Sequence, residues 1–290
     1  MPRLALLICT VLGIVLLCAG QAGSADQDSA VTLSTIAYGD DFVFQTLDIY
    51  VPRFSKGEPL IVFVHGGGWM KGDKSQYSDL GYAFARRGVA FAALNYRLAP
   101  AASVDQQADD VAAAMRWLLD AAGAQGYAAD RIFLMGHSAG AELAAFTATS
   151  PGALRLASLS KKDISGVIAV DGAAYNPTLD ALQASDPQYL WLDHYVFGND
   201  VAQWKQYDIG RNLDGNEPPF LIVHGRHDRI VSVSQPQLLV TQLRAAGDRV
   251  AYLQPDSDHN TVLRNMMTMP DDPLRVAITR FVSTGSLNSL

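Results

Sequence analysis

The sequence predicts an α/β fold, in which a mostly parallel central sheet is flanked by helices and carries a small cap insertion. Short apolar, β-prone segments alternate along the chain with helix-prone segments, an order typical of a parallel sheet covered by helices. One apolar segment, residues 131–135, also leads through a glycine-flanked serine into a helix-prone segment, which indicates a strand, a sharp turn and a helix. In such sheets, ligands bind beyond the carboxyl ends of the strands.

Most of the predicted strands are continuous apolar runs of the kind that is buried on both faces of a parallel sheet. They cover residues 42–51, 60–64, 89–94, 131–135, 166–170, 219–224 and 249–253. The predicted helices cover residues 77–87, 105–122, 141–148, 235–246 and 274–282. The helix over 105–122 is amphipathic, because Val111, Met115 and Leu118 fall on one side of it.

Residues 175–216 interrupt this alternation and are rich in proline, aspartate and aromatic residues. A long irregular segment after a strand is where a cap over a binding site would lie. A packed surface excursion is the alternative interpretation of the same composition. We therefore expect a cap-like insertion at about 175–216 within a single domain, residues 26–290.

The first 25 residues resemble a secretory signal peptide. A basic Arg3 precedes the uncharged residues 4–17 and the small residues of segment 19–25. The uncharged run is shorter than the roughly 20 residues that a membrane span needs. We expect cleavage after Ala25, with Ala22 as the alternative, and export to the periplasm or the medium without stable membrane insertion. An uncleaved N-terminal membrane anchor is the rival interpretation.

Composition excludes several classes of function. The 290 residues carry 22 basic and 29 acidic side chains, a formal charge of −7, and no basic run, which argues against nucleic-acid binding. The two cysteines, Cys9 and Cys18, both fall in the predicted leader. The mature chain can therefore neither form a disulfide nor use a cysteine as a nucleophile.

The segment Gly136-His137-Ser138-Ala139-Gly140 matches the pattern G-x-S-x-G. Between a strand and a helix, this pattern places the serine at the apex of a strained turn, where only small neighbours fit. The helix N-terminus then offers free N–H groups and a positive dipole end to an anion that forms beside Ser138. An ordinary glycine-flanked turn is the alternative.

A nucleophilic serine needs a histidine base and an orienting carboxylate, and after such a turn the chain order is serine, acid, histidine. His259 follows the last predicted strand and is the histidine that fits this order. Asp228 lies in the loop after strand 219–224 and is the favoured acid. Asp256 and Asp258 are too close to His259 in sequence to come from a separate strand end, and we expect them to be solvated.

The sequence His-Gly-Gly-Gly-Trp at residues 65–69 directly follows a predicted strand. Three glycines free the backbone to turn N–H groups toward an oxyanion, and we expect donors from Gly67, Gly68 and Ala139. A phosphate-binding loop is the alternative, but the required Lys-Ser/Thr ending and the G-x-G-x-x-G spacing are missing. This chemistry calls for no metal and no organic cofactor.

Together these motifs resemble the α/β-hydrolase superfamily, and within it the HGGG-type carboxylesterases of the hormone-sensitive-lipase-like and kynurenine-formamidase-like branch. The resemblance covers about residues 42–281 and includes Gly72-Asp73 and the segment 95–100, Asn-Tyr-Arg-Leu-Ala-Pro. It departs from the lipase-like pattern at His137, where aspartate is usual, and after Asp228, where Pro-Leu is usual.

The resemblance implies an α/β-hydrolase fold and the catalytic residues Ser138, Asp228 and His259. It implies that Trp69 lines the alcohol or acyl pocket, and we expect His137 and Tyr175 to contact substrate as well. Glu142 would support the site from one turn into the following helix, or would simply be a helix-start carboxylate that the dipole favours.

The expected function is an exported serine carboxylesterase that hydrolyses short-chain, small-molecule carboxylic esters through an acyl-enzyme. An aryl formamidase or amidase of the kynurenine formamidase type is the alternative with the same machinery. A catalytically silent hydrolase fold that serves as a binding module is a third hypothesis, and the retention of every predicted catalytic residue argues against it. The sequence leaves the oligomeric state open.

Overall fold

A computed structural model describes residues 30–179 and 187–290, except for the side chains of residues 187–189. The predicted signal peptide and part of the predicted insertion lie outside these ranges. Among the helices described, none is both long enough and apolar enough to cross a membrane.

In the described part of the chain, eight strands form one sheet in the order β1-β2-β4-β3-β5-β6-β7-β8. The strands are β1 Val31–Ala37, β2 Thr46–Pro52, β3 Glu58–Val64, β4 Ala90–Leu94, β5 Tyr127–His137, β6 Gly166–Val170, β7 Phe220–Val223 and β8 Val250–Leu253. β2 pairs antiparallel with β1 and with β4, and every other neighbouring pair is parallel. The predicted mostly parallel sheet is therefore confirmed.

Helices connect the strands and cover both faces of the sheet. Their bounds are α1 Ser78–Ala85, α2 Val104–Gln125, α3 Ala139–Thr149, α4 Pro151–Leu156, α5 Pro187–Phe197, α6 Val201–Trp204, α7 Ser234–Ala246, α8 Thr261–Thr268 and α9 Pro273–Thr284. Capping residues set the helix ends. At the start of α2, the side chains of Ser103 and Gln106 each accept a hydrogen bond from the other residue's backbone N–H, and Gly247 ends α7 in the left-handed conformation.

The apolar runs are buried because both faces of the sheet are covered. In β3, Leu60, Val62 and Val64 belong to one core cluster, whereas Ile61 and Phe63 belong to the other. This alternation follows from the two-residue repeat of a strand, which sends successive side chains to opposite faces. It explains why such strands are apolar throughout, a pattern that the sequence already displays.

Several elements differ from the prediction, among them the helix α4, which was not predicted. Predicted strand 42–51 begins at Thr46, and the edge strand β1 was not predicted. The side chains of β1 are exposed or half-buried and include Thr32, Ser34 and Thr35, so its sequence resembles a polar leader. Helix α8, directly after the candidate base His259, was also missed.

The parallel part of the sheet positions the site. The carboxyl ends of β3, β5, β7 and β8 share one edge because these strands run in the same direction. Their following loops carry, in turn, the glycine-rich segment, Ser138, Asp228 and His259. Residues that are far apart in the chain therefore meet at one rim.

Candidate active site

Ser138 lies between the end of β5 and the start of α3, at the apex of a sharp turn. Its backbone adopts φ 56° and ψ −126°, a strained conformation for a side-chain-bearing residue. A Cβ on Gly136 would lie 2.0 Å from the carbonyl oxygen of Gly140, and a Cβ on Gly140 would lie 2.2 Å from that of Val64. Only glycine fits at either position, because the contacting atoms are backbone. The turn holds the hydroxyl above the sheet edge.

The glycine-rich loop after β3 passes directly beside this serine. A Cβ on Gly66 would lie 3.1 Å from the Cβ of Ser138 and 2.8 Å from the carbonyl oxygen of His137. Gly67 and Gly68 both have positive φ, 122° and 62°. This backbone is accessible to glycine without strain, so the loop can turn where a side-chain-bearing residue could not.

The N–H groups of Gly67, Gly68 and Ala139 are free donors. No hydrogen bond within the described part of the chain uses any of them. Ala139 is the first residue of α3, whose N-terminal N–H groups have no partner within the helix. Free donors beside a serine hydroxyl are what stabilisation of an oxyanion requires.

His259 and Asp228 form a buried hydrogen-bonded pair. The Nδ1 of His259 lies 2.8 Å from the Oδ2 of Asp228 and donates to it. The other oxygen, Oδ1, accepts the N–H groups of Ile230 and Val231 at 2.8 and 3.0 Å. Burial disfavours ionisation, but these hydrogen bonds and the nearby His259 outweigh it and lower the pKa of Asp228. The ionised carboxylate leaves the Nε2 of His259 with a lone pair that can accept a proton.

His137 holds the backbone of His259 against the serine turn. Its Nε2 lies 2.8 Å from the carbonyl oxygen of His259 and donates to it, and the two rings are 4.7 Å apart between centroids. Burial and the neighbouring His259 lower the pKa of His137 to about 3, so the ring is neutral. We infer that His137 aligns the histidine loop with Ser138, its own neighbour in sequence.

One cavity of about 1240 Å³ contains most of the predicted residues. Its lining includes Ser138, Asp228, His259, Gly67, Gly68, Ala139, Trp69 and His137. From the predicted insertion, Trp191, Leu192 and Asp193 of α5 contribute to the wall. A Cβ on Gly68 would lie 3.1 Å from Leu192, so α5 packs directly against the glycine-rich loop.

Trp69 is held by contacts on several sides. Its indole Nε1 donates to Oε2 of Glu142 at 3.0 Å, and its carbonyl oxygen accepts from Gln107 and from the N–H of Ala99. Its ring packs edge-on against Phe197 of α5 at 5.2 Å. Glu142 is fully buried, and burial raises its pKa to about 8 against the opposing effect of this hydrogen bond. These contacts fix the glycine-rich loop to the helix that follows Ser138.

Tyr175 is not brought to the cavity. Its side chain is only 1% exposed, it packs in the core, and it is absent from the cavity lining. Its hydroxyl points at Gly172, where a Cβ would lie 2.0 Å away. A substrate contact through Tyr175 thus remains a sequence prediction that the position of the side chain does not support.

Asp171 and His224 were not predicted as part of the site. Asp171 directly follows β6, has φ 47°, is fully buried and accepts the N–H of Gly225 at 2.7 Å. The Nδ1 of His224 lies 3.5 Å from Oδ1 of Asp171 and 4.0 Å from Oδ2 of Asp228. Burial raises the pKa of Asp171 to about 7 and lowers that of His224. Both residues stand at carboxyl ends of predicted strands, which is the signal that could have identified them.

Among the described residues, two overlapping sets of side chains have ligand atoms within 4.8 Å of one another and could hold a metal ion. The sets are His137, Asp171 and His259, and Asp171, His224 and Asp228. Each set includes a member of the Asp228–His259 pair, so an ion bound there would compete with that hydrogen bond. The chemistry of a serine nucleophile requires no such ion.

Comparisons with known proteins agree with this architecture. Esterase B from Lactobacillus rhamnosis superposes with a TM-score of 0.76 at 24% identity, covering 88% of this chain and 86% of that one. A probable isoprenylcysteine alpha-carbonyl methylesterase of Oryza sativa is 36% identical over 118 residues, 40% of this chain and 28% of that protein. The kynurenine formamidase of Drosophila melanogaster is 23% identical over 78% of this chain and 73% of its own length.

The protein has the α/β-hydrolase fold that the resemblance in its sequence predicted. The family model BD-FAE matches residues 47–243, about two thirds of the chain, and the protein belongs to this family. The chain spans only about a quarter of the length of the curated methylesterases that it matches at 36–38% identity. The substrates of those methylesterases are therefore not assigned to this protein.

Proposed function

We propose that the protein is an exported serine carboxylesterase that cleaves short-chain carboxylic esters. The observation that carries this proposal is the buried Asp228–His259 pair, which opens into the same cavity as a serine held at a strained strand-to-helix turn. Export rests on the predicted signal peptide alone.

In the proposed mechanism, Nε2 of His259 takes the proton of the Ser138 hydroxyl as its oxygen attacks the ester carbonyl carbon. Asp228 holds the Nδ1–H tautomer and stabilises the imidazolium that forms. The N–H groups of Gly67, Gly68 and Ala139 stabilise the oxyanion. His259 then protonates the departing alcohol, which leaves Ser138 acylated. Water attacks the acyl-enzyme with the same proton transfers and regenerates the hydroxyl.

The expected preference for short acyl groups rests on two bulky side chains beside the glycine-rich loop. The buried Trp69 and the half-buried Leu192 line the cavity next to Gly68 and take up space there. A series of p-nitrophenyl esters with increasing acyl length, assayed on the mature protein, tests the proposal. We expect the highest kcat/KM for the shortest members, and a maximum at long chains would contradict it.

The decisive experiment for the mechanism is Ser138→Ala combined with a fluorophosphonate probe. We expect wild type to be labelled, and the variant to remain unlabelled with kcat reduced on the order of 10⁶-fold. Thr147→Ala, a hydroxyl on the same helix, serves as the matched control and should keep its labelling. Unlabelled wild-type protein would support the silent binding module instead.

An aryl formamidase is the second candidate function. It is favoured by the kynurenine formamidase relative, whose match extends over 78% of this chain. The machinery would be the same, because a formamide also passes through an oxyanion and an acyl-enzyme. Parallel rates on N-formylkynurenine and p-nitrophenyl acetate, each relative to the uncatalysed rate, separate the two functions.

A further inference from the structure

Three exposed cations lie at the mouth of the cavity. Lys71 follows the glycine-rich loop, whereas Arg226 and Arg229 flank Asp228 in the loop after β7. β3 and β7 are separated in the sheet by two strands, or about 14 Å at the usual strand spacing. Positively charged side chains therefore lie on two sides of the cavity opening.

These three side chains lack ionic partners. Within the described ranges, none of them forms an ion pair or a side-chain hydrogen bond. Several cations elsewhere on the protein form ion pairs, namely Lys74 with Asp48, Arg87 with Asp271, Arg97 with Asp110, Arg116 with Asp120 and Lys161 with Glu217, whereas others, such as the exposed Arg244 of α7, form none within the described ranges. The cavity mouth is distinguished by the grouping of three such cations around one opening.

Carboxylates of the neighbouring loops form their hydrogen bonds with other groups rather than with these cations. Asp228 accepts from His259, and Asp256 pairs with His227 at 2.6 Å. Asp258 accepts the N–H groups of Asn260 and Thr261 at the start of α8. Near Lys71, Asp73 accepts from Ser75 and from Asn95 at 2.8 Å each. Within the described ranges, none of these carboxylates is therefore paired with Lys71, Arg226 or Arg229, and the buried Asp193, which also lines the cavity, has an interaction of its own.

We propose that the cavity selects esters that carry a carboxylate, which Arg226 and Arg229 bind while Ser138 attacks the ester group. The proposal rests on the esterase function proposed above. A guanidinium binds a carboxylate through two parallel hydrogen bonds, so two arginines beside the opening suit this group well. The net charge of −7 does not oppose binding strongly, because charges beyond about 8 Å are screened at physiological salt.

The test compares esters that differ in one charge. The substrates are meta- and para-acetoxybenzoate, matched with the neutral meta- and para-acetoxybenzamides. Each kcat/KM is divided by the rate of the same ester with hydroxide, which removes the difference in leaving-group reactivity. Assays at about 20 mM and about 500 mM salt change the Debye length from about 20 Å to about 4 Å.

We expect wild type to favour at least one carboxylate isomer by about fivefold to tenfold at low salt, since each exposed ion pair contributes up to about fivefold. High salt should reduce this preference. The double variant Arg226→Gln/Arg229→Gln should lose it, whereas Arg244→Gln, an exposed cation on α7, should keep it. Melting curves show whether each variant is folded.

Two results overturn the proposal. One is a wild type that hydrolyses the neutral amides but prefers neither carboxylate isomer, which refutes the anion site and leaves the esterase function intact. The other is a double variant that retains the full preference. A wild type that hydrolyses none of the four esters instead contradicts the esterase function, and the anion site fails with it.

Discussion

Two aspartate–histidine pairs join the same two loops but differ in burial. Asp228 and His259 are 2.8 Å apart, and their side chains are 0% and 7% exposed. Asp256 and His227 are 2.6 Å apart, and their side chains are 81% and 67% exposed. Each loop supplies the acid of one pair and the histidine of the other. The hydrogen-bond distance therefore does not distinguish a candidate catalytic pair from a surface pair.

The difference lies in what surrounds each pair. Asp228 accepts two further backbone N–H groups, and His259 contacts His137 beside the serine turn, so neither side chain can rotate freely. Asp256 and His227 face solvent, where water competes for both partners and salt screens their charges. Burial and additional hydrogen bonds give the inner imidazole one tautomer and one orientation, which proton transfer requires.

The largest expected contrast is in catalysis. Asp228→Asn should lower kcat for p-nitrophenyl acetate by about 10⁴-fold, because an amide can stabilise the wrong tautomer of His259. Asp256→Asn, the same substitution in the exposed pair, should change kcat by less than about twofold. Equal losses in the two variants would show that burial does not assign the roles.

The fold was largely predictable because most of its parallel strands are apolar throughout and long helices such as α2 are amphipathic. The chain order of Ser138, Asp228 and His259 also allowed their meeting at one sheet edge to be predicted, since strand ends fix the loops. The half-exposed β1 was missed because its polar residues give no core signal. The contact between Trp69 and Glu142 joins residues 73 positions apart, and no local pattern encodes it.

A second prediction concerns Asp171, a buried carboxyl that lacks a histidine hydrogen bond of the Asp228 kind. Groups that face it are His137, Tyr175, His224, Asp228, Tyr252, Asp258 and His259. Its pKa is raised from 3.8 to about 7, chiefly by burial, so between these values the folded state binds more protons than the unfolded state. This residue therefore stabilises the protein below about pH 4, and the contribution is lost as the pH rises to 7.

Asp171→Asn retains an acceptor for Gly225 but cannot ionise. We expect the free energy of unfolding of the variant, relative to wild type, to rise by about 3 kcal/mol between about pH 4 and pH 7. Urea unfolding of both proteins across this range measures the difference. The pKa of Glu142 is also raised, but both proteins contain this residue, so its contribution cancels in the comparison. A constant difference would mean that Asp171 is ionised throughout.

The third prediction tests a buried carboxyl that depends on a neutral donor. Trp69→Phe removes the indole N–H from Glu142 and should cost about 2 kcal/mol, because the buried carboxyl loses its hydrogen bond. Adding Glu142→Met removes the unsatisfied group and should restore part of this loss in urea unfolding. If the double variant were less stable than Trp69→Phe, the loss would come from ring packing against Phe197 instead.

The smallest expected effect belongs to the exposed pair itself. Asp256→Asn and His227→Gln should each change the free energy of unfolding by less than about 1 kcal/mol, because solvent screens the pair and both side chains lose rotational freedom in forming it. Raising the salt concentration should remove even this difference if it is ionic. Urea unfolding at low and high salt measures both quantities. A salt-independent loss of several kcal/mol would mean that the pair anchors the loop between β8 and α8. Because this loop also carries His259, the exposed pair would then influence the site through the backbone that it shares with the buried pair.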